Sequence, residues 1–323
     1  VIPGLVDVHT HGRAGGDFGT ADAALLSKMA ESYLDSGVTT VLPTLASAPM
    51  DELEDAIDRL NALAAEAAAS EGKQSNIAGI HLEGRYLNVK RRGAHAADLL
   101  VAPDPDELES LLSRMKGARH LTAALELDEG GEALRRALSL GATVSLGHSD
   151  ANYQTAKDLI GKGVTALTHT FNAMPPLHHR DGGVVAAGLT SDTALCEMIC
   201  DGFHIHPASV RLAFTMFKNR MVLVSDSGRC AGKSEGYQFD LGGQMAEIRG
   251  GVAKLVGTET IACSASNMWA CLKNVISWGI PEEEAVRAAT WNPAKAIGAN
   301  GVVGSIEAGK RADFLVVAPG YES

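Results

Sequence analysis

Six residues with metal-binding side chains end or directly follow short apolar segments of the sequence. They are His9, His11, Glu83, His148, His169 and Asp226. Imidazole nitrogens and carboxylate oxygens together suit a Zn²⁺-like ion, and Fe²⁺ or Mn²⁺ accept the same ligands. His9 and His11 are two residues apart, so on a strand both rings point to one side and can reach one ion. Because the carboxylate of Glu83 has two oxygens and could bridge two ions, we expect one or two divalent ions per chain, with Zn²⁺ as the first choice.

A metal site of this composition indicates hydrolysis. A bound ion lowers the pKa of its water to about 7 and polarises a scissile carbonyl. Asp226 would take the proton of the water and return it to the leaving group. Nucleophilic catalysis is a poor alternative, because Ser145 and Ser149 flank His148 without the Gly-x-Ser-x-Gly motif of a nucleophile elbow. The glycine-rich segment 12–19 also lacks the lysine and helix of a phosphate-binding loop.

The placement of the six residues requires an α/β fold in which many strand ends meet. Short apolar runs rich in β-branched residues alternate with amphipathic segments, as parallel strands covered on both faces do. Eight such strands alternating with helices predict a (β/α)₈ TIM-type barrel of the metal-dependent hydrolase kind, whose active site lies at the C-terminal ends of the strands. The predicted strands are residues 4–9, 38–42, 77–82, 121–125, 142–146, 164–168, 194–199 and 221–224.

The chain is predicted to divide into a catalytic barrel and part of a second domain. Paired glycines punctuate alternating runs in residues 237–256, which predicts a β-hairpin insertion in a barrel spanning 1–301. Residues 302–323 are expected to contribute one or more C-terminal strands of a small β-sandwich whose N-terminal strands lie upstream of Val1 and are absent from this chain. The predicted helices include 50–69, 103–115, 132–140, 152–160, 264–277 and 281–289.

Composition limits the partners of the protein. The 28 Lys and Arg residues against 39 Asp and Glu residues give a formal net charge of −11, which argues against a nucleic-acid surface. No apolar run approaches the roughly 18 residues that span a bilayer, so no membrane association is expected. The five cysteines show no paired framework, which is typical of reduced thiols in a cytoplasmic protein.

The remaining histidines and one basic run have open interpretations. His81 lies two residues before Glu83 and is expected to be structural, and His120 is expected at the opposite end of the barrel without a role in the site. His95 and His204 lie in loops of the catalytic rim, where they could contact a ligand or be ordinary loop histidines. Residues 90–92 (Lys-Arg-Arg) could clamp a phosphate or form a solvated charged surface.

Seven motifs in order along the chain carry a family resemblance. They are PGLVDVHTHG (3–12), HLEG (81–84), GAH (93–95), GHS (147–149), THTFNAM (168–174), DGFH (201–204) and VSD (224–226). With these motifs the sequence resembles the amidohydrolase superfamily and, within it, the N-acetylglucosamine-6-phosphate deacetylases, over nearly the whole chain. The resemblance implies a metal ion on Glu83, His148 and His169, with Asp226 as the acid and base. It also implies that His9 and His11 support a second metal.

The resemblance further implies a substrate and a partner. The substrate would be a phosphorylated amino sugar, N-acetylglucosamine 6-phosphate, cleaved to glucosamine 6-phosphate and acetate. Arg180 would reach the site of a neighbouring subunit, which implies a homodimer. The substrate-binding residues implied in this way are Ala94, His95, Asn172, Ala173, Arg180, His204, Ser266, Asn267 and Met268.

Three departures from the family pattern leave the exact substrate open. Arg85 stands where the family usually has proline and is expected to add a cation beside the metal, while segments 225–230 and 263–268 are more polar than usual. An amidohydrolase of another N-acyl or cyclic amide substrate therefore stays as an alternative. A non-catalytic barrel scaffold predicts lost ligands, and none of the six is missing.

Overall fold

The computed structural model describes residues 1–321. The strands are β1 (Ile2–Pro3), β2 (Leu5–Thr10), β3 (Gly12–Arg13), β4 (Gly16–Asp17), β5 (Val38–Leu45), β6 (Asn76–Ile77), β7 (Gly79–Glu83), β8 (Ala118–Ala123), β9 (Thr143–Leu146), β10 (Ala166–Leu167), β11 (Leu195–Ile199), β12 (Met221–Val224), β13 (Gln238–Leu241), β14 (Gln244–Arg249), β15 (Val252–Leu255), β16 (Ile261–Cys263) and β17 (Phe314–Leu315). The helices are α1 (Ala23–Leu34), α2 (Met50–Ala69), α3 (Pro105–Arg114), α4 (Glu132–Ser139), α5 (Tyr153–Gly161), α6 (Gly183–Leu189), α7 (Pro207–Phe217), α8 (Met268–Ser277), α9 (Glu282–Ala289) and α10 (Trp291–Ala296).

Eight parallel strands form the barrel that the sequence predicts. Strands β2, β5, β7, β8, β9, β10, β11 and β12 are paired in this order, each parallel to the next. The last strand meets the first through the backbone, where the amide of Asp226 donates to the carbonyl of His9 at 2.9 Å. The amide of His11 donates in turn to the carbonyl of Ser227 at 2.8 Å. The predicted fold class is therefore confirmed.

The helix α2 shows how the outer layer attaches to the barrel. Its buried side chains include Leu53, Ile57, Leu60 and Leu63, spaced three or four residues apart, so they form one apolar face against the strands. Its bounds, Met50–Ala69, coincide with the predicted segment. Among residues 1–321, no helix combines the length and the apolar character that a bilayer crossing needs.

The helix α8 begins four residues later than predicted. Cys263 still belongs to β16, and Ser264 forms an isolated parallel bridge with Ser227. The side chain of Asn267 then accepts a 2.9 Å hydrogen bond from the amide of Ala270 and caps the helix. The polar residues before Met268 therefore form the end of a strand and a cap, not a first helical turn.

The insertion after the eighth barrel strand is a four-stranded antiparallel sheet, β13–β16. It contains the predicted hairpins, with Gly242 (φ 58°) and Gly250 (φ 64°) in left-handed turn conformations, and it extends the predicted segment to Cys263. The side chain of Gln244 donates a 2.8 Å hydrogen bond to the carbonyl of Ala94. The insertion is thereby attached to the loop that follows β7.

The C-terminal strand has a partner within this chain. Strand β17 pairs antiparallel with β1, with Ile2 opposite Leu315 and Pro3 opposite Phe314. The sequence-based prediction placed its partners upstream of Val1, whereas this short ribbon joins the two ends of the described chain. The division into a barrel of residues 1–301 and a second domain from residue 302 stays a prediction, and residues 322–323 lie outside the described part.

Candidate metal centre

One carboxylate, that of Glu83, lies between two pairs of histidines. Glu83 ends β7 and is 2% exposed. Its Oε2 atom is 3.2 Å from Nε2 of His9 and 2.9 Å from Nε2 of His11. Its Oε1 atom is 3.4 Å from Nε2 of His148 and 3.0 Å from Nε2 of His169. The structure therefore brings all five predicted metal ligands together and gives each oxygen of Glu83 its own pair of imidazoles.

Asp226 lies beside the pair formed by His9 and His11. Its Oδ1 atom is 3.5 Å from Nε2 of His9 and 3.4 Å from Nε2 of His11. Its side chain is 14% exposed, more than that of Glu83, because Asp226 lies at the rim just after β12. A carboxylate in this position touches the metal-binding atoms on one side and the open cavity on the other.

The backbone at three of these residues is left-handed, which is uncommon for residues other than glycine. The φ angles are 48° at His148, 29° at His169 and 46° at Asp226. Each of the three is the second residue after a barrel strand, and the side chains of His148 and His169 meet at Glu83. Backbone strain of this kind is concentrated at functional sites, where the surrounding structure holds it in place.

The orientation of His148 fits a metal ligand. Its Nδ1 donates a 2.8 Å hydrogen bond to the carbonyl oxygen of Arg91, so its Nε2 carries the lone pair. That Nε2 lies 3.1 Å from Nε2 of His169. Two ring nitrogens this close need a cation or a proton between them. Two sets of three side chains have ligand atoms close enough together to hold one ion. The first set is His9, His11 and Glu83, and the second is Glu83, His95 and His148.

Electrostatics also indicate a cation. Burial lowers the pKa of His9, but the charges of Glu83 and Asp226 outweigh it and raise that pKa well above its ordinary value. The same two carboxylates raise the pKa of His11 to about 9 against its burial. Burial opposes ionisation of Asp226, yet His9 and His11 lower its pKa to about 2. The buried carboxylates thus demand positive charge, which a divalent ion supplies while leaving the imidazoles neutral.

A cavity of about 580 Å³ opens above this centre. Its wall contains five of the predicted substrate-binding residues beside the metal-binding group. These five are Ala94, His95, Asn172, Ala173 and His204.

His95 faces the centre and is held by Ser47. The amide of Arg85 donates to the hydroxyl oxygen of Ser47 at 3.0 Å, and that oxygen lies 2.9 Å from Nδ1 of His95. The Nε2 atom of His95 lies 3.8 Å from an oxygen of Glu83. Burial and the neighbouring His148 lower the pKa of His95 to about 3. His95 is therefore a neutral imidazole beside the metal-binding atoms.

His204 is held by a buried carboxylate. Its Nδ1 donates to Oδ2 of Asp201 at 2.8 Å, and the hydroxyl of Ser264 donates to the same oxygen at 3.0 Å. Burial lowers the pKa of His204, but the hydrogen bond and charge of Asp201 outweigh it and raise the pKa. His204 can therefore offer a positive charge to the cavity.

Four predicted substrate-binding residues do not line this cavity. Arg180 is exposed in the loop between β10 and α6, with its guanidinium 2.7 Å from the ring of His179. The other three, Ser266, Asn267 and Met268, border a separate small cleft beside Ser225, because the chain turns away there to begin α8. The residues of β16 line the catalytic cavity in their place.

The prediction that Arg85 adds a cation beside the metal is wrong. Its Nε lies 3.2 Å from a carboxylate oxygen of Glu107 on α3, and its side chain does not line the cavity. The left-handed backbone of Arg85, at φ 41° after Gly84, turns the side chain towards α3. The positive charge is thus neutralised away from the site.

Sequence reasoning missed a buried carboxylate beneath the centre. Glu197 lies inside β11, and the available signal was a single acid within an otherwise apolar predicted strand. Burial would raise the pKa of Glu197, but the facing imidazoles of His120 and His9 lower it to about 2. His120 lies within β8, fully buried, because this strand begins three residues before its predicted start. The expectation that His120 lies apart from the site is therefore wrong.

Comparison with known proteins gives consistent matches over the whole chain. The sequence profile of the amidohydrolase family matches residues 1–322. The N-acetylgalactosamine-6-phosphate deacetylase of Escherichia coli O157:H7 is 32% identical over 322 residues, which cover 99% of this chain and 84% of that protein. The N-acetylglucosamine-6-phosphate deacetylase of Bos taurus is 34% identical over 330 residues, covering 98% of this chain and 79% of that protein.

A solved structure shares both the fold and the sequence similarity. It is a mutant N-acetyl-D-glucosamine-6-phosphate deacetylase of Mycobacterium smegmatis in complex with N-acetyl-D-glucosamine-6-phosphate. The TM-score is 0.89 at 32% sequence identity, and the match covers 99% of this chain and 83% of that chain.

Proposed function

The chain belongs to the amidohydrolase family, and from that membership we propose that it is a metal-dependent deacetylase of N-acetylhexosamine 6-phosphates. It removes the acetyl group of N-acetylglucosamine 6-phosphate and releases glucosamine 6-phosphate and acetate. One observation carries this proposal: the five metal-binding side chains and Asp226 meet at one cavity, in a chain 32% and 34% identical to proteins named as such deacetylases.

The metal assignment uses the two pairs of histidines on either side of Glu83, His9 with His11 and His148 with His169. Glu83, His148 and His169 would hold one ion, and His9 and His11 together with Glu83 would hold a second. Zn²⁺ is the proposed metal, and Fe²⁺ or Mn²⁺ accept the same nitrogen and oxygen ligands. When bound, a divalent ion here polarises the amide carbonyl and lowers the pKa of a water molecule.

Asp226 performs the proton transfers. It borders the cavity and lies beside the metal-binding atoms of His9 and His11, so it can accept the proton of the attacking water. The amide nitrogen leaves as an amine only after it gains a proton, and Asp226 returns the proton to it.

The cavity residues orient the substrate. His95, with its proton on Nε2, donates to the carbonyl oxygen of the substrate as negative charge develops there, because Nε2 faces the reaction centre. His204, whose pKa is raised by Asp201, is placed to contact the phosphate. Ala94, Asn172 and Ala173 line the part of the cavity that would hold the sugar ring.

Arg180 belongs to the proposal through a second subunit. It is exposed and does not line the cavity of its own chain, which is consistent with a role in the site of a neighbouring subunit in a homodimer. The five cysteines are free and buried, which supports a reducing compartment such as the cytoplasm.

The C4 epimer is a second candidate substrate, because the relative from Escherichia coli O157:H7 is named for N-acetylgalactosamine 6-phosphate. Comparing kcat/KM for the two epimers decides which is preferred. A clear preference for the galactosamine epimer changes the assigned sugar and leaves the reaction class unchanged.

The proposed function is tested by acetate release from the Zn²⁺-loaded, folded enzyme. We expect acetate from the 6-phosphates, little from unphosphorylated N-acetylglucosamine, and a raised KM for the 6-phosphate in Arg180→Ala. No turnover of either epimer with Zn²⁺ or Fe²⁺ contradicts the proposal. Activity on an unphosphorylated amide that survives Arg180→Ala favours an amidohydrolase of another substrate.

A further inference from the structure

Four buried polar atoms beneath the metal centre have no hydrogen-bond partner among the described residues. They are Nδ1 of His9, Nε2 of His120 and both carboxylate oxygens of Glu197. All three side chains are completely buried. Because buried polar groups in folded proteins are nearly always satisfied, four in one place require an explanation.

These four atoms face one another across the barrel interior. One oxygen of Glu197 lies 3.6 Å from Nδ1 of His9, and the other lies 3.4 Å from Nε2 of His120. A carboxylate inside a barrel is costly unless charged or hydrogen-bonding groups surround it. The two imidazoles provide that surrounding, one from β2 and one from β8.

The two nitrogens of His9 face in opposite directions. Nε2 faces Glu83 and Asp226, at 3.2 and 3.5 Å, whereas Nδ1 faces Glu197. A histidine that donates its Nδ1 proton to a carboxylate keeps its lone pair on Nε2 and is a stronger metal ligand. A proton on Nδ1 of His9 would therefore face Glu197 and leave the lone pair on Nε2, where an ion can bind.

The position of Glu197 is itself fixed by His120. Nδ1 of His120 lies 2.8 Å from the hydroxyl oxygen of Thr143, so the ring is held with its Nε2 atom facing Glu197 at 3.4 Å. The nearby His81 does not compete, since its two nitrogens already contact the hydroxyls of Thr44 and Thr122 at 3.1 and 2.8 Å.

We propose that Glu197 is a positioning residue for the metal centre, whose carboxylate accepts the Nδ1 proton of His9 and so holds Nε2 of His9 as a ligand. The ion affected is the one assigned to His9, His11 and Glu83. This inference rests on the metal assignment in the proposed function. A purely structural ion pair predicts a different result, namely a loss of stability with unchanged metal binding.

The test measures metal binding without substrate. Wild type, Glu197→Gln and Glu197→Leu are loaded with Zn²⁺, dialysed and assayed for bound Zn²⁺ per chain, and the affinity of each ion is measured by chelator competition. We expect two ions in wild type and about 10–100-fold weaker binding of one ion in Glu197→Gln, with the other unchanged. Glu197→Leu is expected to bind one ion only. Met198→Leu, a volume-conserving change at the next buried residue of β11, is the control and keeps both ions.

A double substitution separates this role from general damage. His9→Asn should lose the same ion, and adding Glu197→Gln to it should cause no further loss in affinity, because both changes act through one ligand. A further loss of metal affinity in the double variant, beyond that of His9→Asn, would contradict the inference. In wild-type holoenzyme, nitrogen NMR should show the proton of His9 on Nδ1, and a proton on Nε2 overturns the proposal even if a variant fails to fold.

Two further outcomes overturn it. In the first, Glu197→Gln binds both ions with wild-type affinity. In the second, wild type binds a single ion and Glu197→Gln binds that ion with the same affinity. Absence of deacetylation contradicts the proposed function alone, since metal stoichiometry and affinity are read without substrate.

Discussion

Nδ1 of His148 donates a 2.8 Å hydrogen bond to the backbone carbonyl of Arg91. The loop after β7 thus orients a metal ligand that follows β9, and it does so with its main chain. The side chains of Lys90 and Arg91 instead contact Asp150, at 3.3 and 2.8 Å. The backbone of Arg91 therefore serves the site, whereas the charges of Lys90 and Arg91 are used at the surface.

The first prediction follows for the two basic side chains. Lys90→Ala and Arg91→Ala should leave KM for the sugar phosphate unchanged, because the carbonyl that orients His148 remains in place. The free energy of unfolding should fall by about 0–1 kcal/mol, as for exposed ion pairs. Steady-state kinetics and urea unfolding measure the two effects. A large rise in KM confined to phosphorylated substrates would show that this run binds the phosphate.

The second prediction concerns Asp226. Asp226→Asn should lower kcat by about 10²–10⁴-fold, because the amide keeps the shape of the carboxylate but cannot accept the proton of the water. Bound Zn²⁺ should persist, since the assigned ligands are Glu83 and the histidines. Acetate release and metal analysis on one sample measure both. Asp150→Asn, a carboxylate paired with surface cations, is the matched control and should keep wild-type kcat.

The third prediction is a pH dependence of substrate binding. Asp201 raises the pKa of His204 above its ordinary 6.5 despite burial, so the folded protein binds this proton more tightly than the unfolded chain. The resulting stability is fully present below pH 6.5 and is lost as the pH rises through the higher folded-state pKa. Affinity for the phosphate should fall over the same alkaline range as His204 loses its charge.

Asp201→Asn tests this assignment. It removes the charge that raises the pKa of His204, so the alkaline rise in KM should move to lower pH. Profiles of KM against pH for wild type and variant measure the shift. An identical alkaline limb in both proteins would assign the titration to another group.

The sequence predicts where the candidate metal ligands lie because strand ends are visible in it. An apolar run stops where the strand reaches the rim, and the residue that follows is therefore placed on the catalytic side. Glu83, His148, His169 and Asp226 all follow this pattern. The helix Met50–Ala69 is equally visible, since its leucines repeat with helical spacing.

Other features depend on contacts that no local pattern records. Both faces of a parallel strand are buried, so the sequence does not reveal that Glu197 faces the barrel interior. The direction of Arg85 follows from a left-handed backbone and from Glu107, a partner on another element. The segment before α8 was misplaced because the cap formed by Asn267 delays the helix. Long-range contacts decide each of these cases.

The fourth prediction concerns metal removal. Chelation should abolish activity, and Zn²⁺ should restore it and raise Tm, because an ion that binds only the folded state stabilises it by about 2.7 kcal/mol at a hundred times Kd. Glu83→Gln removes the carboxylate shared by both groups of ligands, so its Tm should respond little to Zn²⁺. Thermal unfolding with and without Zn²⁺ measures this, and an equal shift in both proteins would contradict the assigned ligands.

The fifth prediction separates Arg85 from substrate choice. Its guanidinium contacts Glu107 and its side chain is absent from the cavity wall, so Arg85→Ala should leave the kcat/KM ratio of the two epimers unchanged while lowering stability by about 1 kcal/mol. Arg85→Gly should cost less stability than Arg85→Ala, because glycine adopts the left-handed φ of 41° without a steric penalty. Glu107→Gln, which removes the same ion pair from the other side, is the control for lost stability. Urea unfolding and kinetics with both epimers measure these effects, and a changed ratio in Arg85→Ala but not in Glu107→Gln would place the guanidinium in the recognition of the sugar.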